Sequence, residues 1–118
     1  MSVTLEGIGI SAACPGNVVT DVNVVVEGRA NYDLVNQTDE EAFVGIMVEL
    51  EDSAGHRETE SESFRRVGPR GRESFSHRLR LLVSYEHPGT IDVIMRVTVS
   101  GAASDTHSAR CNFIVQPG

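Results

Sequence analysis

Apolar and polar residues alternate with a period of two over most of this chain, and no other feature constrains the fold as strongly. Residues 22–34 carry apolar or small side chains at every second position, with mostly polar residues between them. Residues 43–50, 72–83, 90–99 and 107–115 repeat the pattern. A period of two is typical of a β-strand that buries one face. No window shows the 3.6-residue apolar stripe of a capped helix, so the chain is predicted to be all-β.

Turn-forming residues divide the alternating stretches into strands. Glycine, proline, asparagine and aspartate are found in "NQTDEE", "EDSAG", "GPRG", "SYEHPG" and "SGAASD". Residues 56–66 are polar almost throughout, which indicates an edge strand or a loose connection. With a further strand near residues 2–10, these segments predict an immunoglobulin-like, seven-stranded antiparallel Greek-key sandwich. A chain of 118 residues has room for one such domain, spanning residues 1–118.

The turns also resemble those of a known family. The resemblance rests on three features: a break after the second strand at Asn36, a Pro-Gly turn at 69–71, and "PG" at 88–89 before a long alternating strand. Together they resemble bacterial immunoglobulin-like modules of the cell-adhesion-related (CARDB-like) type, over roughly residues 20–100. The resemblance implies a non-catalytic adhesion or spacer module, of the kind that is usually an exported part of a larger protein.

The charge balance argues against two classes of partner. The chain has 17 acidic residues against 10 arginines and no lysine, for a net charge of −7. Affinity for phosphate comes mainly from basic charge, so no nucleic-acid partner is predicted. No apolar run is long enough to span a bilayer, so no membrane partner is predicted either. The N-terminus lacks a secretory signal, which predicts a cytoplasmic protein if the chain is complete and an extracellular one if a signal was removed.

Six of the ten arginines lie in "FRRVGPRGRESFSHRLRL", residues 64–81. The turn "GPRG" (type I) predicts a β-hairpin here, in one of two registers. One sets Phe64 opposite Phe75; the other sets Glu62 opposite Arg78, and Glu60 opposite Arg80, so that cross-strand charge pairs form.

Three arginines have no obvious partner in either register. Arg65, Arg70 and Arg72 gather around the turn, and a guanidinium suits carboxylate and phosphate. They are therefore a candidate docking point for an anion or a protein partner, although local pairing and protection of a strand edge would also explain them.

The sequence offers two further candidate sites, an apolar surface and a disulfide. Leu82 and Ile94 have the outward parity of strands expected to be adjacent, so they could seed an apolar interface with a partner or a second copy. Cys14 and Cys111 could form a disulfide if the first and last strands are neighbours. Two free thiols are favoured because no signal peptide is present.

Catalytic and metal chemistry have little support. There is no "GxSxG" and no glycine-rich phosphate loop. "CNFIV" begins at Cys111 like the metal-binding loop of superoxide reductases, but Ile114 stands where that family has histidine. A metal-dependent domain using His77, His87 or Cys111 stays an alternative, and the prediction is no catalytic residue, metal or cofactor.

The function that follows is a non-enzymatic protein-binding, assembly or adhesion module with an unidentified protein partner, and with homo-oligomerisation open. The alternative from another class is a structural component of a virion or a secretion assembly.

Overall fold

Eight β-strands form two sheets in the computed structural model, which describes residues 2–118. In chain order they are β1 (Val3–Ala13), β2 (Val18–Val19), β3 (Val24–Asn36), β4 (Ala42–Asp52), β5 (Arg57–Val67), β6 (Arg72–Val83), β7 (Gly89–Gly101) and β8 (Asp105–Gln116). One sheet has three strands in the order β1-β3-β6, and the other has five in the order β2-β8-β7-β4-β5. Within residues 2–118 no helix is long and apolar enough to cross a membrane.

The predicted immunoglobulin-like sandwich is confirmed, with one strand more than expected. The seven long strands pair antiparallel, whereas the two-residue β2 runs parallel to β8. A two-residue strand is too short to show any periodicity, so β2 could not be predicted from alternation.

The core lies between the two inner faces, where the alternation places it. On β3 the buried positions are Val26, Gly28, Ala30, Tyr32 and Leu34. They face the buried residues of the five-stranded sheet, which include Val44, Val48, Leu50, Val93, Met95 and Val97. Gly28 belongs here because the two sheets approach closely: a Cβ atom at this position would collide with the Met95 side chain.

The predicted hairpin over residues 57–83 is wrong. β5 pairs with β4, and β6 pairs with β3, so the "GPRG" turn carries the chain from one sheet to the other. Neither predicted register exists as a result. β5 is exposed and polar along nearly its whole length, and a strand without an apolar face gives no indication of which neighbour it pairs with.

The turn at the crossover is of type II, not the type I that was expected. Gly71 N donates to Gly68 O at 2.9 Å, and Arg70 at the third position has φ +53°, the left-handed region that type II requires.

A buried asparagine fixes this end of the sandwich. Asn36 is 1% exposed, and its Nδ2 donates to Glu40 O, Val67 O and Gly68 O at 2.6, 3.2 and 3.1 Å. Its Oδ1 accepts from Thr38 N at 3.0 Å. One side chain therefore joins the β3–β4 turn to the β5–β6 crossover.

Cys14 and Cys111 are joined by a disulfide, with Cα atoms 6.0 Å apart, in place of the free thiols that were favoured. Cys14 follows β1 of the three-stranded sheet and Cys111 lies on β8 of the other. The disulfide therefore ties the two sheets together. The first and last long strands are close at this point, which is the condition that the sequence prediction set for a crosslink.

Candidate functional site

The outer face of the three-stranded sheet carries a cluster of arginines, hereafter the arginine face. It consists of Val25, Glu27 and Arg29 on β3 and of Arg78, Arg80 and Leu82 on β6. These residues alternate with buried ones along each strand, so their side chains point away from the core. The register sets Arg29 opposite Arg78, Glu27 opposite Arg80, and Val25 opposite Leu82.

Glu27 lies between the three guanidiniums. Its Oε1 accepts from Arg29 Nε at 2.7 Å and from Arg78 Nε at 3.0 Å. Its Oε2 accepts from Arg78 Nη2 and from Arg80 Nε, each at 3.2 Å. Hydrogen bonding from Arg78 first and Arg29 second lowers the pKa of Glu27 to about 2. The carboxylate is therefore ionised at any physiological pH and holds the guanidiniums in place.

One carboxylate does not neutralise three arginines. The side chains of Arg29, Arg78 and Arg80 are 63%, 50% and 57% exposed, whereas that of Glu27 is only 17% exposed. The cluster thus presents a net positive charge on a chain whose total is −7. Most N–H groups of the guanidiniums are not used by Glu27 and can donate to a ligand.

An apolar pair continues the same two strands. Val25 and Leu82 lie opposite each other and are 49% and 73% exposed. On the other side of β3, the β1 residues opposite Glu27 and Arg29 are Ala13 and Ser11. Because these side chains are small, the β1 surface beside the arginines has no large side chain at these positions to block a ligand.

Sequence reasoning assigned Arg78 and Arg80 to the wrong partners. They were expected opposite Glu62 and Glu60, but both bond Glu27. Arg29 was not singled out at all. The parity of β3 and β6 does place these residues on polar faces. The missing information was that β3 and β6 are neighbours. Pairing between strands that are distant in sequence leaves no local signal.

The predicted docking tip is not a set of unpaired arginines. Arg65 bonds Glu73 at 3.1 Å, Arg70 bonds Asp39 at 2.9 Å and Arg72 bonds Asp33 at 2.5 Å. Arg65 also lies over the Phe75 ring, 5.2 Å from its centroid. All three are paired because the crossover brings acidic residues from the strands and turns around it to this end.

The predicted interface between Leu82 and Ile94 is wrong as well. Leu82 lies on β6 of the three-stranded sheet and Ile94 on β7 of the five-stranded sheet. Their outward side chains therefore point to opposite sides of the sandwich. Leu82 is strongly exposed, and its apolar neighbour is Val25 instead.

His77 lies at the open side of the sandwich, where β5 and β6 approach. Its Nε2 is 2.9 Å from Tyr32 Oη and its Nδ1 is 3.2 Å from Glu60 Oε1. Burial is the main cause that raises the pKa of Tyr32, with the charges of Glu62 and Glu60 adding to it. Both ring nitrogens of His77 are thus engaged within the fold.

A second polar cluster joins the β4–β5 turn to the segment after β6. Asp52 accepts from Tyr85 Oη at 2.7 Å, and its Oδ2 lies 2.8 Å from His56 Nδ1. Burial alone would raise the pKa of Asp52, but the hydrogen bonds from Tyr85 and His56 outweigh it, and the pKa is lowered. A cleft of about 360 Å³ adjoins this cluster and includes the exposed His87.

The residues proposed for a metal-dependent alternative do not converge. Cys111 is in the disulfide, His77 is held by Tyr32 and Glu60, and His87 lies in a different cleft. In the described part of the chain, residues 2–118, no three or more His, Cys, Asp or Glu side chains are grouped to hold a metal ion.

Comparison with solved structures places this architecture among known sandwiches. The CARDB domain of the PF1109 protein from Pyrococcus furiosus, crystallised in complex with di-metal ions, is similar with a TM-score of 0.52. The match covers 94% of each chain at 12% identity. AlkC, an alkylpurine DNA glycosylase from Pseudomonas fluorescens bound to abasic-site DNA, has a TM-score of 0.47 and 12% identity, over 98% of this chain and 30% of that one. No protein-family model matches the chain, and no curated protein matches it in sequence.

The chain is thus an immunoglobulin-like β-sandwich. More narrowly, its fold is CARDB-like, as the turn chemistry predicted. At 12% identity the likeness concerns the fold alone, so function has to be argued from the residues of this chain.

Proposed function

We propose that this protein is a non-catalytic module of the adhesion or assembly type that docks a protein partner on the arginine face. The observation that carries the proposal is the arginine cluster with its apolar neighbours. Three exposed arginines share the single carboxylate of Glu27, and the exposed Val25–Leu82 pair lies next to them on the same strands.

The combination suits protein recognition. Arginine is enriched among the residues that contribute most to binding at protein interfaces, and the fully buried centre of an interface is more apolar than the rest of the surface. A positive cluster on an acidic surface also orients an acidic partner, because the rest of the chain repels it. The side chains stand on two hydrogen-bonded strands, so the face presents them without any rearrangement of the backbone.

The groups that could perform chemistry are engaged elsewhere in the fold. His77 is bonded on both ring nitrogens, Cys111 is in the disulfide, and Asp52 accepts from His56 and Tyr85. These bonds link neighbouring strands and turns. They support structural roles for these residues, and they therefore favour a binding module over an enzyme.

Site-specific photocrosslinking in the host tests the proposal. A photoreactive amino acid replaces Leu82 on the arginine face, and in a matched control it replaces Ile114, which is 47% exposed on the other sheet. We expect a discrete protein adduct from position 82, and its loss when R78Q and R80Q are added. Adducts formed from position 114 and not from 82, or an adduct at 82 that is indifferent to the arginine changes, would contradict the proposal.

A further inference from the structure

The geometry points to the chemistry of the partner, an inference that rests on the proposed function. We infer that the arginine face binds an extended acidic segment of another protein. Its carboxylates would lie at alternate positions and be followed, two residues on, by an apolar side chain.

The spacing along β6 carries this inference. Arg78, Arg80 and Leu82 occupy alternate positions and point to the same side. Neighbouring members of such a row are separated by roughly 6.6 Å. An extended peptide has the same repeat, so its alternate side chains meet Arg78, Arg80 and Leu82 in turn. Val25 completes the apolar end from β3.

The guanidiniums are prepared for carboxylates in particular. Glu27 accepts a hydrogen bond from the Nε–H group of each of the three arginines, and a second one from Arg78 through Nη2. The remaining terminal N–H groups form the planar fork that binds carboxylates in bidentate fashion. Because Glu27 already holds the side chains, less conformational entropy is lost when a ligand binds.

A second copy of this chain carries a related motif, Glu58, Glu60 and Glu62 followed by Phe64, but holds it on its own folded edge strand. Its alternating glutamates, Glu58, Glu60 and Glu62, lie on β5 opposite the buried Leu50, Val48 and Ile46. They therefore point to the inner side of the five-stranded sheet, and Glu60 contacts His77. Glu60 and Glu62 are engaged by His77 and Arg65 of their own chain, so the ligand is assigned to a different protein.

Fluorescence anisotropy with labelled peptides tests the inference. The probe is an extended decapeptide containing Glu-Thr-Glu-Thr-Leu, and the controls replace its glutamates by glutamine or place them adjacent to each other. We expect the alternating acidic peptide to bind most tightly, with affinity falling as salt rises.

Variants locate the binding. R78Q with R80Q should weaken the peptide at least about tenfold, the loss of about 1.4 kcal/mol or more, and Leu82→Ser should weaken it severalfold. Arg110→Gln, an exposed arginine on the outer face of the other sheet, should change nothing. Thermal unfolding verifies that each variant is folded.

Several results would overturn the inference. They are no binding of any acidic peptide, binding unaffected by R78Q and R80Q, or equal binding of a sulfated glycan. Self-association of the chain that is lost in R78Q/R80Q would assign the face to a second copy instead. The crosslink from position 82 does not depend on partner chemistry. A positive crosslink with failed peptide binding therefore refutes the acidic segment and leaves the docking function standing.

Discussion

Arg29 on β3 lies directly opposite Arg78 on β6, and the Glu27 carboxylate accepts a hydrogen bond from each. Like charges placed opposite each other normally destabilise a sheet. Glu27 makes the arrangement stable, but it neutralises only one of the three positive charges. The strand pair therefore holds together and still presents positive charge to solvent, which is the feature that a docking surface for an acidic partner needs.

Glu27 should make the protein sensitive to acid. Its pKa is lowered from 4.5 to about 2, so the stabilisation from its ionised form is complete above about pH 4.5 and is lost as the pH falls toward 2. The E27Q variant should be less stable at neutral pH, and the difference from the parent should shrink over that interval. Urea denaturation at a series of pH values measures it. Glu86→Gln, at an exposed position, is the control; parallel profiles for the parent and E27Q would contradict the expectation.

Asn36 should be among the most sensitive positions for stability. Asn36→Ala removes a hydrogen-bond donor from each of the carbonyls of Glu40, Val67 and Gly68 and leaves a small gap at a buried position. We expect a loss of about 3 kcal/mol in the free energy of unfolding, measured by chemical denaturation. Asn112→Ala, at an exposed position on β8, should stay within about 0.5 kcal/mol of the parent. Equal effects at the two positions would rule out the linking role of Asn36.

The disulfide should contribute strongly because it closes a long loop. Cys14 and Cys111 are separated by 97 residues, for which the chain-entropy model gives about 4.7 kcal/mol. Reductant should lower the unfolding midpoint of the parent. It should have no effect on the C14S/C111S variant, which should resemble the reduced parent. A parent that is indifferent to reductant would show that the crosslink contributes nothing.

Arg70 should be replaceable with a gain in stability. Its φ of +53° costs a non-glycine residue about 1 kcal/mol, whereas its pair with Asp39 is exposed and contributes little. We expect Arg70→Gly to raise the free energy of unfolding by about 0.5 kcal/mol. The matched change Arg66→Gly, inside β5, should lower it by a similar amount. A loss at position 70 would mean that the ion pair outweighs the strain.

The extent to which the sequence predicts this fold depends on the strand. β3, β6, β7 and β8 bury one face each, so their alternation marks them out and indicates which residues enter the core. β5 has no apolar face, and nothing in its local sequence indicates whether it pairs with β4 or with β6. That single ambiguity produced the false hairpin over residues 57–83 and, with it, the wrong partners for Arg78 and Arg80.

The candidate site shows the same division between local and long-range information. Parity alone puts Glu27 and Arg29 on the polar face of one strand, and Arg78 and Arg80 on that of another. Only the pairing of β3 with β6 brings the four together. Leu82 was correctly placed outward, but its predicted companion Ile94 lies on the other sheet. Strand pairing is set by the packing of the whole domain, so no short segment encodes it.

The central claim is that the outer face of β3 and β6 receives an acidic partner, and amide chemical-shift mapping tests it most directly. The isotope-labelled protein is titrated with the alternating acidic peptide. We expect shifts concentrated at residues 25–29 and 78–82 and absent in R78Q/R80Q. Shifts concentrated instead on the outer face of the five-stranded sheet, around Phe43, Met47 and Ile114, would contradict it.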